Sequence, residues 1–299
     1  MRVLVTGAGG YIGRFLCNRL IEEGHAVVGL GLPEHLDRLQ STGCEVLLHD
    51  LSSGKSLNLA SIDAVIYLAQ SSFYHEMPEK AHNLFKVNVC GLIKVAESAR
   101  NAGVKRFIYA STGNVYKPSF KPLDEKSPLR KDDFYALSKL TGEQILELYN
   151  KYFKVIITRF FTVYGPGQRN MLIPKIIERV KLGQSIFLEP TEEKNSENEG
   201  LLLTPCYIDD AVSILQALMQ INNKDSIIIN VAGSEIISIK KIAQEVGKLL
   251  GKKPIYSEVA SLRQGNLIAD NSFLKSLVKI NFTSSTSGLY KTLSTGMSE

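Results

Sequence analysis

The chain begins MRVLVTGAGGYIGRFL, with glycines at positions 7, 10 and 13 directly after the apolar run Val3-Leu4-Val5. The run reads as a short buried strand and residues 11–21 as a helix with an apolar stripe, so the glycines fall in the turn between them. Each has a physical use there. A tight strand-to-helix turn needs backbone angles that glycine reaches at little cost. The helix start offers unpaired N–H groups and the positive end of the helix dipole, and bare backbone lets a pyrophosphate approach them. A third glycine one turn into the helix lets helix and strand pack closely. A ligand-free glycine turn could carry the same letters, but the order strand, turn, helix favours dinucleotide binding.

Further apolar runs at 26–30, 45–48, 64–68, 106–110 and 155–158 alternate with helical patterns, the longest over 81–102 and 134–152. This rhythm predicts an α/β fold, a Rossmann-type doubly wound parallel sheet with ligands at the strand carboxyl ends. After about residue 165 the rhythm changes. YGPGQRN reads as a turn-rich loop, helices are expected at 173–182, 209–220 and 238–250, and a strand at 227–230. The expected organisation is a dinucleotide-binding domain over 1–165, its sheet completed by part of 204–233, and a smaller C-terminal substrate-binding lobe over 166–299. The polar run 191–200 reads as an exposed, mobile loop, and the Ser/Thr-rich tail after Asn281 as one that frays.

Composition narrows the function classes. The net charge of +5 is spread along the 299 residues without a basic stripe interleaved with aromatics, which argues against nucleic acid. Cys17, Cys44, Cys90 and Cys206 lie far apart, with no pair at metal-ligand spacing, so they read as reduced thiols and no metal is expected. The first strand starts at residue 2, leaving no room for a signal peptide, and no apolar run reaches membrane-spanning length. A cytoplasmic protein is expected.

The second constellation is YALSK, which sets Tyr135 and Lys139 four apart on a helix and therefore on one face. A nearby ammonium favours the phenolate and lowers a tyrosine pKa, so the phenol can exchange a proton with a substrate hydroxyl near neutral pH. Alone, the pair reads better as an ordinary helix surface pair. The stretch RFIYASTGNVY then ends a strand and offers Ser111 and Thr112 at the ligand-binding edge of the sheet. Such hydroxyls are commonly turn formers. Together with the glycine turn and the Tyr–Lys pair they suggest a common site.

With these residues in hand the chain resembles the extended branch of the short-chain dehydrogenase/reductase superfamily, the NAD(P)-dependent nucleotide-sugar epimerases and dehydratases. The resemblance runs through TGAGGYIG, HDL, DAVIYLAQ, KVNVCGLIKVAESARNAGVKRFIYAST, YALSK, RFFTVYGPGQR, YIDDA and NVAG, in that order. It implies that Tyr135 is the catalytic acid/base, that Lys139 holds the nicotinamide ribose and tunes Tyr135, and that Thr112 assists. It also implies that Gly7, Gly10, Tyr11, Ile12 and Gly13 meet the NAD or NADP cofactor, that Asp50 and Leu51 meet the adenine, and that Leu68, Ala69 and Gln70 line pyrophosphate and ribose. Asn88 supports the site, and a homodimer through the helices at 81–102 and 134–152 is expected. The implied reaction is epimerisation of a nucleotide sugar through a transient ketone. The alternatives are net reduction or oxidation of a nucleotide-linked or other small carbonyl compound, and a non-catalytic NAD(P)-binding scaffold.

Four positions depart from the family's pattern. Gly31 stands where an acidic residue usually binds the adenosine ribose, which leaves NADP open, and Arg14 either faces the extra phosphate or is solvated. Gly113 and Asn114 replace the carboxylates of dehydratases, so dehydration is not expected. Thr162 replaces a diphosphate-contacting asparagine, and Leu203 replaces a phosphate-binding arginine. Arg263 falls where another phosphate-binding arginine is expected; with Thr112 and Thr162 it completes the expected substrate contacts.

Overall fold

The computed structural model describes residues 1–192, 197–221 and 226–295. In chain order its elements are β1 (Arg2–Thr6), α1 (Tyr11–Glu22), β2 (Ala26–Gly31), α2 (Leu36–Gln40), β3 (Glu45–Leu48), β4 (Ala64–Tyr67), α3 (Ala81–Phe85), α4 (Leu92–Asn101), β5 (Arg106–Thr112), α5 (Phe134–Glu147) and β6 (Lys154–Phe160). Then follow β7 (Val163–Tyr164), α6 (Leu172–Leu182), β8 (Ser185–Leu188), β9 (Leu202–Leu203), β10 (Cys206–Tyr207), α7 (Ile208–Gln220), β11 (Ile227–Val231), β12 (Ile237–Ser238), α8 (Ile239–Leu250), β13 (Ile255–Glu258), α9 (Ser272–Leu277) and α10 (Ser285–Thr295).

Seven parallel strands form the central sheet in the order β11-β6-β5-β4-β1-β2-β3. The order reverses between β1 and β4, which makes that crevice the topological switch point. Side chains alternate across the sheet as a two-residue period requires. Val3, Val5, Ile66, Ile108 and Ile156 face one core with Leu16 and Leu20 of α1 and Ile214 and Leu218 of α7. Leu4, Val65, Tyr67, Phe107, Tyr109 and Val155 face the other with Val95 and Ala99 of α4 and Leu146 of α5. Burial on both faces explains why these strands read as unbroken apolar runs. Beyond the sheet, three short two-stranded pairings, β10 with β7, β12 with β9 and β13 with β8, organise the C-terminal half.

Three expectations need correction. The helix over 81–102 is interrupted by a π-helical segment, Lys86–Gly91. The helix from Phe134 stops at Glu147, and Tyr149, Tyr152 and Phe153 pack their rings together beyond it. The described part of the tail, to residue 295, is packed: α10 buries Leu289 and Leu293, one helical turn apart, and Glu235 accepts the Ser285 N–H at 2.9 Å. In the 191–200 run, residues 193–196 lie outside the described residues, while Glu197 pairs with Lys240 and Asn198 donates to Glu258 at 2.9 Å.

Candidate active site

The carboxyl ends of β1 and β4 carry the glycine turn and the segment Leu68-Ala69-Gln70. Gly7 has φ +68°, and a Cβ there would stand 3.0 Å from the Ala69 backbone. At Gly13 a Cβ would overlap the Gly7 carbonyl oxygen and come within 2.7 Å of Ala8 Cα. Gly10 begins α1 with no side-chain cap and no acidic residue in the first turn, so the amides of Tyr11, Ile12 and Gly13 have no side-chain acceptor there. Bare backbone, close helix–strand approach and an uncapped helix start are what a bound pyrophosphate requires. The residues fit a dinucleotide.

The remaining predicted cofactor residues divide. Asp50 spends both carboxylate oxygens on Ser52, accepting from its N–H and its hydroxyl at 2.8 Å each. Leu51 is buried against Gly91 of the π segment. Asn88, also in that segment and buried, accepts the Ser71 N–H at 2.9 Å and donates to Ser138 Oγ at 3.0 Å. It joins the loop after β4 to α5 and acts as a positioning residue. Arg14 does not turn toward Gly31: its guanidinium lies over the rings of Tyr11 and Phe15, and Nη2 is 2.6 Å from where a Gly167 Cβ would sit.

On the other side of the crevice, the end of β5 and the start of α5 bring Thr112 and Tyr135 together. The Tyr135 hydroxyl donates to Gln70 Oε1 at 3.0 Å. Burial raises its pKa above that of an ordinary phenol, and the neighbouring Thr112 hydroxyl opposes the rise. The expected lowering by Lys139 is not found. Lys139 is itself buried, which pulls its pKa down to about 7, and its Nζ donates to the Ala110 carbonyl at 2.9 Å.

Two of the departures have a structural setting. Leu203 is fully buried in β9 and presents nothing to a phosphate. A side chain at Gly113 would stand 3.0 Å from the Phe161 ring, so the position a dehydratase carboxylate would take is filled by that ring. The Thr162 carbonyl accepts the Cys206 N–H at 2.8 Å, just before β7 and at β10. Arg263 lies over the Phe120 ring with Nε and Nη1 buried and without hydrogen-bond partners.

Sequence reasoning missed two features. Tyr74, in the loop after β4, sets its ring 5.1 Å from that of Tyr135 and its hydroxyl 3.6 Å from Met171 Sδ; no periodicity marks it. Behind Lys139, Glu143 is buried with Arg159 at 2.6 Å, accepts from Ser111, and leads through Arg159 to Tyr116 and Asn230. A signal for this network existed: Glu143 continues the Tyr135–Lys139 face, and Arg159 interrupts the apolar run VIITRFF.

With the geometry established, comparison with known proteins is decisive. The family model described as NAD dependent epimerase/dehydratase family matches residues 3–232. The chain belongs to this family. It is 29% identical to the uncharacterized UDP-glucose epimerase YtcB of Bacillus subtilis (strain 168), over 93% of this chain and 92% of that one. It is also 29% identical to a 2-alkyl-3-oxoalkanoate reductase of Stenotrophomonas maltophilia (strain K279a), over 62% of this chain and 57% of that one. Among solved structures it superposes on the UDP-glucuronic acid 4-epimerase of Bacillus cereus in complex with NAD, with TM-score 0.85, 25% identity, and coverage of 100% and 99% of the two chains. Among the described residues no group of three or more His, Cys, Asp or Glu is arranged to hold a metal, and no helix is long and apolar enough to cross a membrane.

Proposed function

We propose that the protein is an NAD(P)-dependent epimerase of a nucleotide sugar, working through a transient ketone. The observation that carries the reading is the convergence of Tyr135, Thr112 and Gln70 beside the crevice floored by Gly7 and Ala69. The bound dinucleotide supplies hydride acceptance and return. The chain's residues govern the proton. Thr112 and Tyr135 grip one substrate oxygen, and Tyr135 takes its proton as the ketone forms and gives it back when the alcohol is restored. The raised pKa of Tyr135 makes a nearby cation valuable, and Lys139 one turn along α5 is the cation this chain offers. Arg263, whose Nε and Nη1 are buried without hydrogen-bond partners, is the anchor for the nucleotide phosphates.

The C-terminal lobe holds the sugar nucleotide. The protein acts as a homodimer in the cytoplasm, a compartment that suits its four free cysteines. Support for the dimer is the exposed apolar side chains Phe134, Leu148 and Tyr152 on α5 and just past it.

The test is incubation of the purified protein with UDP-, GDP-, CDP- and dTDP-sugars, with new stereoisomers resolved by chromatography. Conversion by the parent and none by Tyr135→Phe is expected; no conversion of any sugar nucleotide overturns the reading. The buried Leu203 and the likeness to a reductase favour a second reading, net reduction of a smaller carbonyl compound. It predicts stoichiometric change in nicotinamide absorbance, which an epimerase does not produce.

A further inference from the structure

The end of β2 departs from the family's pattern and no step above uses it. Glycines at 29 and 31 lie on one face of the strand. Leu39 of α2, fully buried, fills the space at Gly31, where a Cβ would stand 2.9 Å from Leu39 Cδ1; at Gly29 a Cβ would overlap Cys44 Sγ and stand 3.4 Å from Leu39 Cδ2. Helix α2 therefore sits down on β2. This carries the turn before it, Pro33–His35, onto the glycine turn. His35 packs on Gly9, where a Cβ would be 2.7 Å from His35 Cβ and 3.5 Å from its Nδ1.

An imidazole thus stands at the seam between the end of β2 and the phosphate-binding turn. In this architecture the adenosine ribose lies there, and a carboxylate usually takes its hydroxyls. A carboxylate accepts from a 2′-hydroxyl and repels a 2′-phosphate. An imidazole has a donor and an acceptor nitrogen, so it serves either group. The nearby carboxylates do not replace the missing one by position. Asp50 is committed to Ser52, and Glu34 and Asp37 are exposed.

We propose that His35 reads the 2′ position of the cofactor and that the protein binds NADP as well as NAD. The proposal rests on the dinucleotide-binding reading above. The test is calorimetric titration of the full-length protein, freed of co-purified nucleotide, with NAD⁺ and NADP⁺ separately. In the parent the two dissociation constants are expected within about tenfold of each other. His35→Ala weakens NADP⁺ by about tenfold or more, the scale of one hydrogen bond to a charged group, and NAD⁺ much less. His35→Glu restores a carboxylate and turns the preference toward NAD⁺. Thermal shifts with each nucleotide give the same ranking without activity. A parent that prefers NAD⁺ by about 100-fold, or a His35→Ala variant that weakens both nucleotides equally, overturns the proposal. A preference for NAD⁺ that vanishes in Glu34→Gln assigns the site to Glu34 instead. If neither nucleotide binds the parent, the dinucleotide reading itself fails.

Discussion

Lys139 Nζ lies 2.9 Å from the carbonyl oxygen of Ala110, so the cation one turn from Tyr135 on α5 is tied to the end of β5. Burial lowers its pKa from 10.5 to about 7. Between these values the unfolded chain binds a proton that the folded chain does not, so this group makes stability rise with pH across that window. A Lys139→Met variant lacks the effect. From about pH 6 to about pH 9 the parent should gain stability relative to the variant, read from urea midpoints at each pH. A constant difference would show that the amine is not desolvated.

The Glu143–Arg159 pair is buried on both sides, with 2% of each side chain exposed and 2.6 Å between the charged atoms. Removing one partner leaves an uncompensated buried charge. Glu143→Ala should cost about 3–5 kcal/mol in denaturant unfolding. Replacing both residues with apolar side chains of similar volume should recover much of that loss. An isolated loss below about 1 kcal/mol would mean that water reaches Arg159.

The sheet was legible because its strands are short apolar runs bounded by glycines and helices, and the switch point follows from strand order. Tyr135 and Thr112 were identifiable because motif spacing fixes a helix face and a strand end; Gln70 was named only through the family resemblance, as a cofactor contact and not as the partner of Tyr135. The direction of the Tyr135 pKa shift was not legible. Spacing places Lys139 near the phenol, but only tertiary packing reveals that both groups are desolvated and that Lys139 turns to Ala110. The π segment was likewise hidden: KVNVCG differs little from helix, and the buried bonds of Asn88 to Ser71 and Ser138 exist only once three elements meet. The tail was misread because composition outweighed the four-residue spacing of Leu289 and Leu293.

Gly13 tests the glycine turn directly. A methyl group there overlaps the Gly7 carbonyl oxygen and presses on Ala8, both backbone, so no side-chain movement relieves it. Gly13→Ala should lose about 1–3 kcal/mol by overpacking and bind dinucleotide more weakly, because the helix start must move away from β1. Gly24, whose added Cβ would meet nothing, serves as a packing control, although its φ of +79° still brings some backbone strain. Thermal unfolding with and without NAD⁺ separates the two outcomes. Unchanged nucleotide affinity in Gly13→Ala would exclude the turn as the pyrophosphate site.

Leu148 and Tyr152, just past the end of α5, remain 74% and 46% exposed, and Phe134 at its start is 43% exposed. These side chains offer apolar surface to a partner along α5 and its extension. A second copy related by a two-fold axis would place these same residues against themselves and bury them on both chains. Light scattering should therefore give the mass of two chains for the parent. Leu148→Glu combined with Phe134→Glu sets like charges across that axis and should shift the mass to one chain while leaving the circular dichroism spectrum unchanged. A parent that scatters as a single chain at micromolar concentration removes the self-association reading, and the apolar residues would then need another partner.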